Sequence, residues 1–303
     1  MASKVNTKFV IILIAGLVAV CLGLAALAYR QHMLSGERLI AKGDELMAAG
    51  EFKLAADKYA RGVNKDQGQL DWLEKWRSAL VKTTPGTLSE YNEAYNRQYL
   101  GILNKIAVLR ATDPAYQLPL IEEFDRRARL LPGGRSVAGI QSQIEMIDER
   151  LKRLDPENSD NPITKKIVGY RGLAGFQEML RFPVDQAKRD RVLEELRIGA
   201  SVAGDDPRFN LAIVDWYERE IFRLEREENQ PAAAAPLREE LAPIRAELVE
   251  KFGDRPSVIV HEFRSRAQAS LLAARTPESN RAALRALEEP AADLLVTLSQ
   301  IPV

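Results

Sequence analysis

The sequence predicts an all-α fold: a single N-terminal transmembrane helix followed by an α-solenoid of antiparallel helical hairpins. Alanine, leucine, glutamate and arginine dominate the 303-residue chain, only 7% of the residues are aromatic, and alternating β-branched runs are nearly absent, so strands have little to form from. One long apolar segment precedes a charge-rich remainder in which prolines recur at intervals that fit pairs of helices. With 46% hydrophobic residues the chain can bury the core of one elongated or two compact domains.

A short basic tail, residues 1–8, precedes an uncharged apolar segment, residues 9–29. At the rise of an α-helix this segment reaches about 30 Å, one hydrocarbon thickness, so it is predicted to be an uncleaved transmembrane anchor. Ala26-Leu27-Ala28 also fits the cleavage site of a secretory signal peptide, which is the alternative. Both alternatives export the remainder of the chain. As an anchor, the segment is expected to leave the N-terminus in the cytoplasm and the helical part in a periplasmic or extracytoplasmic compartment.

The only cysteine, Cys21, lies inside that apolar segment. A single cysteine excludes an intramolecular disulfide and a zinc site built from several thiolates. Lipid modification of Cys21 is an alternative, but Val20 disfavours it because that signal normally has a small residue directly before the cysteine.

Residues 36–69 have the spacing of one compact helical hairpin. Small residues at Gly43 and Ala55 allow two helices to approach closely, Leu46 and Tyr59 fill the space between them, and Gly50 supplies the turn. This pattern resembles a tetratricopeptide repeat, a unit of about 34 residues that needs stacked neighbours to bury its apolar face.

The resemblance implies a protein-binding role and a site. In that family, partners dock on the concave face formed by the first helix of each hairpin. On this sequence, that face comprises Glu37, Ile40, Asp44, Met47 and Ala48. Such a mixed acidic and apolar strip suits a basic or amphipathic segment of a partner protein.

Residues 70–303 are predicted to form an extended, degenerate array of helical hairpins. Prolines 114, 156, 207 and 256 are 42 to 51 residues apart, an interval that fits two long helices and a turn. The predicted pairs are 70–82 with 88–111, 115–130 with 136–154, 162–181 with 184–202, 208–228 with 236–252, and 257–274 with 278–300, the last broken near Pro290. A subdomain boundary is expected at the 231–236 tract or near 158–161, where turn-forming and polar residues cluster.

Other residue groups favour packing over chemistry. The tyrosines 91, 95 and 99 are interpreted as a buried stripe, and the glycines 169, 172 and 175 as a site of close helix packing. The alternating charges that follow Asp215 are typical of a solvated helix face. His261 has no nearby nucleophile motif or second histidine, so no catalytic, cofactor or metal site is predicted and an enzyme is not expected.

The predicted function is a membrane-anchored helical-repeat scaffold or adaptor that binds proteins or peptide segments at the membrane surface. Equal numbers of acidic and basic residues, 43 each, disfavour nucleic acid as a partner. The alternative is a structural spacer or self-assembling component, because the apolar residues 294–301 lack the polar cap that ends most solenoids. This alternative predicts a homo-oligomer.

Overall fold

The computed structural model describes residues 16–18, 20–24, 35–130, 136–273 and 276–299, and every regular element among them is helical. The all-α prediction is therefore confirmed for this part of the chain. The chain divides into two compact units, unit 1 up to Ala111 and unit 2 from Thr112.

The predicted membrane-spanning helix is not found. Of residues 9–29 the structure describes only 16–18 and 20–24, which are helical, and the rest, like the tail 1–8, lies outside the described residues. Within the described ranges, no helix combines the length and the apolar character needed to cross a membrane. This finding contradicts the predicted transmembrane helix and the single-pass localisation based on it.

Unit 1 contains a series of short helices. They are α1 (Gly36–Ala48), α2 (Phe52–Val63), α3 (Leu70–Lys82), α4 (Leu88–Tyr91), a π-helical stretch (Asn92–Tyr99) and α5 (Leu100–Leu109). Ser35 starts α1 because its hydroxyl accepts a hydrogen bond from the amide of Arg38 at 3.4 Å. Gly50 turns the chain into α2 with φ +77°, a conformation that disfavours residues with a Cβ.

The α1–α2 hairpin packs as its small residues predict. A methyl group at Gly43 would lie 2.5 Å from Cε1 of Tyr59, and one at Gly62 would lie 2.6 Å from Cδ1 of Ile40. Since residue 43 faces 59 and residue 40 faces 62, the two helices run antiparallel. This close approach supports the tetratricopeptide-like hairpin.

Of the predicted tyrosine stripe, Tyr91 and Tyr99 are not buried as expected, and the side chain of Tyr95 lies outside the described residues. Tyr91 is 37% exposed and Tyr99 is only partly buried, whereas Ile102 and Ile106 on α5 form the core there. The reason is the π-helical winding of Asn92–Tyr99, whose i→i+5 hydrogen bonds shift side chains away from the 3.6-residue register used for the prediction.

Unit 2 contains nine further α-helices among the described residues. They are α6 (Pro114–Leu130), α7 (Val137–Arg153), α8 (Pro162–Met179), α9 (Gln186–Ala200), α10 (Arg208–Phe222), α11 (Pro231–Phe252), α12 (Pro256–Ala273), α13 (Pro277–Ala286) and α14 (Glu288–Ser299). A π-helical turn, Arg223–Glu227, extends α10. Five of these helices begin at a proline. Proline suits this position because an amide hydrogen in the first turn has no acceptor within the helix, so its absence costs no hydrogen bond.

The α8–α9 hairpin confirms the interpretation of the glycines. A methyl group at Gly199 would lie 2.6 Å from Cα of Gly169, and one at Gly172 would lie 2.9 Å from the amide nitrogen of Leu196. Backbone therefore meets backbone at this crossing. Around it lies the core of unit 2, which includes the fully buried Ile167, Leu196, Phe209 and Tyr217.

Two local expectations differ from the structure. The tract 231–236 is not a turn but the first part of α11, where Ala234 is fully buried. The division into compact units falls after Ala111, not at 231–236 or near 158–161. The break predicted near Pro290 is confirmed, because the last predicted helix breaks at Leu287 and Pro290 lies in the first turn of α14. The connection between the predicted helices 115–130 and 136–154 falls on residues 131–135, which lie outside the described residues.

Candidate functional site

The strip predicted on α1 lies partly at the surface of unit 1. Glu37, Asp44 and Ala48 are exposed and Met47 is partly exposed, but Ile40 is only 4% exposed. Ile40 is buried because Gly62 on α2 leaves space for its side chain. The structure therefore brings four of the five predicted residues to the surface and places the fifth in the hairpin core.

Asp44 links the first three helices. Its carboxylate accepts a hydrogen bond from the Tyr59 hydroxyl on α2 at 2.7 Å and another from Lys75 Nζ on α3 at 3.0 Å. Burial, together with the bond to Asp44, raises the pKa of Tyr59, so the phenol stays protonated as the donor. The Asp44 charge is compensated by Lys75, which leaves Glu37 as the acidic residue of the strip without an ion-pair partner among the described residues.

A larger concave surface, which we call the groove, lies in unit 2. Its walls come from α6, α8 and α10, which pack side by side and are the first helices of three successive hairpins, with a contribution from the start of α7. Its volume is about 400 Å³, within the usual range for ligand sites. The half-buried Leu173 and Leu211 and the buried Ala174 and Ala212 form an apolar floor.

At one end of the groove, Arg208 joins all three first helices. Its guanidinium donates to Asp206 at 2.9 Å, to Asp125 on α6 at 2.6 Å and to the Tyr170 hydroxyl on α8 at 2.9 Å. Burial alone would raise the pKa of Asp206, but the hydrogen bonds from Arg208 outweigh it and hold that pKa below the usual 3.8. Asp125 also accepts from Arg129 at 3.1 Å, so this end carries paired charges.

The other end of the groove is different, because Arg181 follows directly after α8 and has no acidic partner. Its guanidinium donates to the backbone oxygen of Gln177 at 2.8 Å and to the side-chain oxygen of the same residue at 3.2 Å. In the described part of the chain, no carboxylate lies within ion-pair distance of it. The nearby Asp215 pairs instead with Arg264 at 2.5 Å.

Gln143, on α7, is the polar residue of the groove wall with the most deeply buried side chain, only 5% exposed. Its side-chain amide forms no hydrogen bond with any residue that the structure describes. Its amide atoms are not among the fully buried polar atoms without a partner, so they reach the open space of the groove and are available to a ligand.

Asp215, Glu218 and His261 form a second polar cluster, and their potential ligand atoms lie within 4.8 Å of one another. His261 Nε2 is 3.1 Å from Asp215 Oδ1, and the histidine is 5% exposed. Each carboxylate also pairs with an arginine, Asp215 with Arg264 and Glu218 with Arg245. Because the arginines compensate these charges, the cluster is an ion-pair network that connects α10 to α11 and α12.

Sequence reasoning missed both the groove and this network. The acidic residues after Asp215 were expected on a solvated face, yet Glu220 is 5% exposed and pairs with Arg223, while Asp215 contacts α12. Arg208 and Asp125 are 83 positions apart, and His261 and Asp215 are 46 apart. No local spacing indicates such pairs.

No known family profile matches the chain, and no characterised protein matches it in sequence. Among solved structures, the fold is similar to the crystal structure of MamA protein, with a TM-score of 0.42 and 16% sequence identity over 73% of this chain and 94% of that chain. A likeness at this level carries no functional argument, so function is argued from the surfaces described above.

Proposed function

We propose that this protein is a helical-repeat scaffold that binds segments of other proteins and catalyses no reaction itself. The observation that supports this function best is the groove, because the first helices of three successive hairpins line one continuous concave surface of about 400 Å³. Its apolar floor and polar ends suit a protein segment, which offers both side chains and backbone groups.

The strip on α1 is proposed as a second contact surface, now restricted to Glu37, Asp44, Met47 and Ala48. The exposed Glu37 supplies a negative charge and Met47 an adaptable apolar contact. A basic or amphipathic segment complements this combination. Asp44 contributes less charge than the sequence predicts, because Lys75 compensates it.

Site-specific photo-crosslinking in intact cells tests the function. A crosslinking amino acid replaces Leu211 in the groove or Met47 on the strip, and Glu194, exposed on α9 and outside the groove, serves as the matched control. We expect a defined partner segment, identified by mass spectrometry, at position 211 or 47 but not at 194. Equal adducts at all three positions, or none at any, would refute the scaffold function.

Self-assembly is the second candidate function. At the end of the described chain, Leu295 on α14 is 69% exposed and Leu284 on α13 is 54% exposed, and neither is covered by another described element. A second copy of the chain could cover them. If it does, light scattering should show concentration-dependent oligomers that Leu295→Glu abolishes, and a monomer at all concentrations would exclude this candidate.

A further inference from the structure

The groove contains one arginine, Arg181, to which the described residues supply no acidic partner. Arg129 and Arg208 share Asp125, Arg208 also pairs with Asp206, and Arg181 has only the amide and backbone oxygens of Gln177 as partners in the described part of the chain. Arg181 is exposed and lines the groove, so the N–H groups that Gln177 does not engage are open to a ligand. A carboxylate is the group that fits their planar geometry.

A second, independent feature points to a ligand backbone. Gln143 is buried and lines the groove, but its amide forms no hydrogen bond within the described residues. A glutamine amide offers both donors and an acceptor, so it can bond to an N–H and a C=O of an extended peptide at the same time.

The dimensions limit the ligand to a short stretch. The groove extends from Leu173 on α8 to Arg181, two residues beyond the end of that helix, about 12 Å at the helical rise. An extended chain rises about 3.3 Å per residue, so three or four residues fit. Leu173 and Leu211 would then contact an apolar side chain next to the charged one.

We infer that the groove binds an extended segment of a partner protein that carries an acidic side chain beside an apolar one. Arg181 pairs with the acidic side chain, Gln143 bonds to the segment's backbone, and the apolar side chain packs on Leu173 and Leu211. Asp215 does not repel such a segment, because Arg264 and His261 already engage its carboxylate. The inference rests on the proposed scaffold function and specifies the ligand of its groove.

Selection of a phage-displayed octapeptide library on the full-length chain tests this inference. Peptides that bind are synthesised with an amidated C-terminus, so that only side chains carry negative charge, and their affinity is measured by fluorescence anisotropy. We expect a shared aspartate or glutamate next to an aliphatic residue. Replacing that acidic residue by its amide should weaken binding about tenfold, as expected for loss of a charge-assisted hydrogen bond.

Variants of the protein assign the contacts. Arg181→Gln and Gln143→Ala should each weaken binding about tenfold, and Arg181→Gln should also remove most of the dependence on salt. Arg191→Gln, at an exposed position of α9 outside the groove, is the control and should bind normally. Circular dichroism of each variant confirms that it is folded.

Four results would overturn the inference: no selected peptide, selected peptides without acidic residues, affinity unchanged by Arg181→Gln, or binding that needs a free C-terminal carboxylate and no acidic side chain. The scaffold function has a separate outcome. If position 211 crosslinks to a partner segment that contains no acidic residue, the scaffold function stands and only the inferred acidic ligand is refuted.

Discussion

Replacing Gly43 by alanine should destabilise unit 1. The added methyl group would lie 2.5 Å from Cε1 and 2.7 Å from Cδ1 of Tyr59, a ring that is 2% exposed and held by Asp44. Overpacking of this kind costs about 1–3 kcal/mol, and disturbing the Tyr59–Asp44 hydrogen bond costs about 1 kcal/mol more. The higher helix propensity of alanine stabilises the helix by roughly 1 kcal/mol and offsets part of this loss. The free energy of unfolding should therefore fall by about 1–3 kcal/mol.

Gly101→Ala is the matched control. Gly101 also lies in a helix of unit 1, but no atom lies within 4 Å of the position its methyl group would take. This variant should gain about 0.5–1 kcal/mol from helix propensity alone. Urea denaturation, followed by the fluorescence of Trp72 and Trp76 in a Trp216→Phe background, measures both variants in unit 1. If Gly43→Ala is as stable as the parent or as Gly101→Ala, α1 and α2 do not approach each other as closely as described.

Three further predictions concern unit 2, with urea denaturation followed by the fluorescence of Trp216 in a background that carries Trp72→Phe and Trp76→Phe. Gly199→Ala should cost about 1–3 kcal/mol because its methyl group would meet backbone that cannot move aside, and an unchanged midpoint would contradict the α8–α9 crossing. Arg208→Met should lower the free energy of unfolding by about 3–5 kcal/mol, because it leaves Asp206 unpaired. Arg208→Lys should recover only part of this loss, because a lysine cannot bond to several partners at once as a planar guanidinium does. Full recovery by Arg208→Lys would show that the guanidinium geometry is unimportant. Acid should weaken unit 2, because hydrogen bonds from arginines outweigh burial and lower the pKa of Glu123 below 4.5 and that of Asp206 below 3.8. Groups with depressed pKa values stabilise the fold above their unfolded pKa, so the contribution of these two carboxylates should be constant above about pH 5 and fall as the pH drops through about 4, and Asp206→Asn should flatten this dependence.

The features that could be predicted from sequence depend on short-range pattern. Proline fixes the first turn of a helix, so Pro114, Pro162 and Pro256 mark helix starts correctly. The spacing of Gly43 and Tyr59 predicts their contact because each lies at a fixed position of a two-helix unit. These signals depend on residues that are close in the chain.

The features that sequence reasoning missed depend on opposing local preferences or on contacts between residues far apart in the chain. The tract 231–236 suggests a turn because of its two prolines, but four alanines of high helix propensity and the burial of Ala234 outweigh the hydrogen bond lost at Pro236. Ile40 was assigned to a binding surface because its burial depends on the absence of a side chain at Gly62. The groove depends on which helices pack side by side, which no local spacing encodes.

Hydrogen–deuterium exchange of the full-length chain, with and without the partner segment identified by crosslinking, tests the scaffold function most directly. Binding in the groove should slow exchange in α8 and α10, which form its walls, and leave the amides of α9 and α11 unchanged. Protection confined to α9 and α11, or no protection in either pair of helices, would contradict the assignment of the groove as the binding surface.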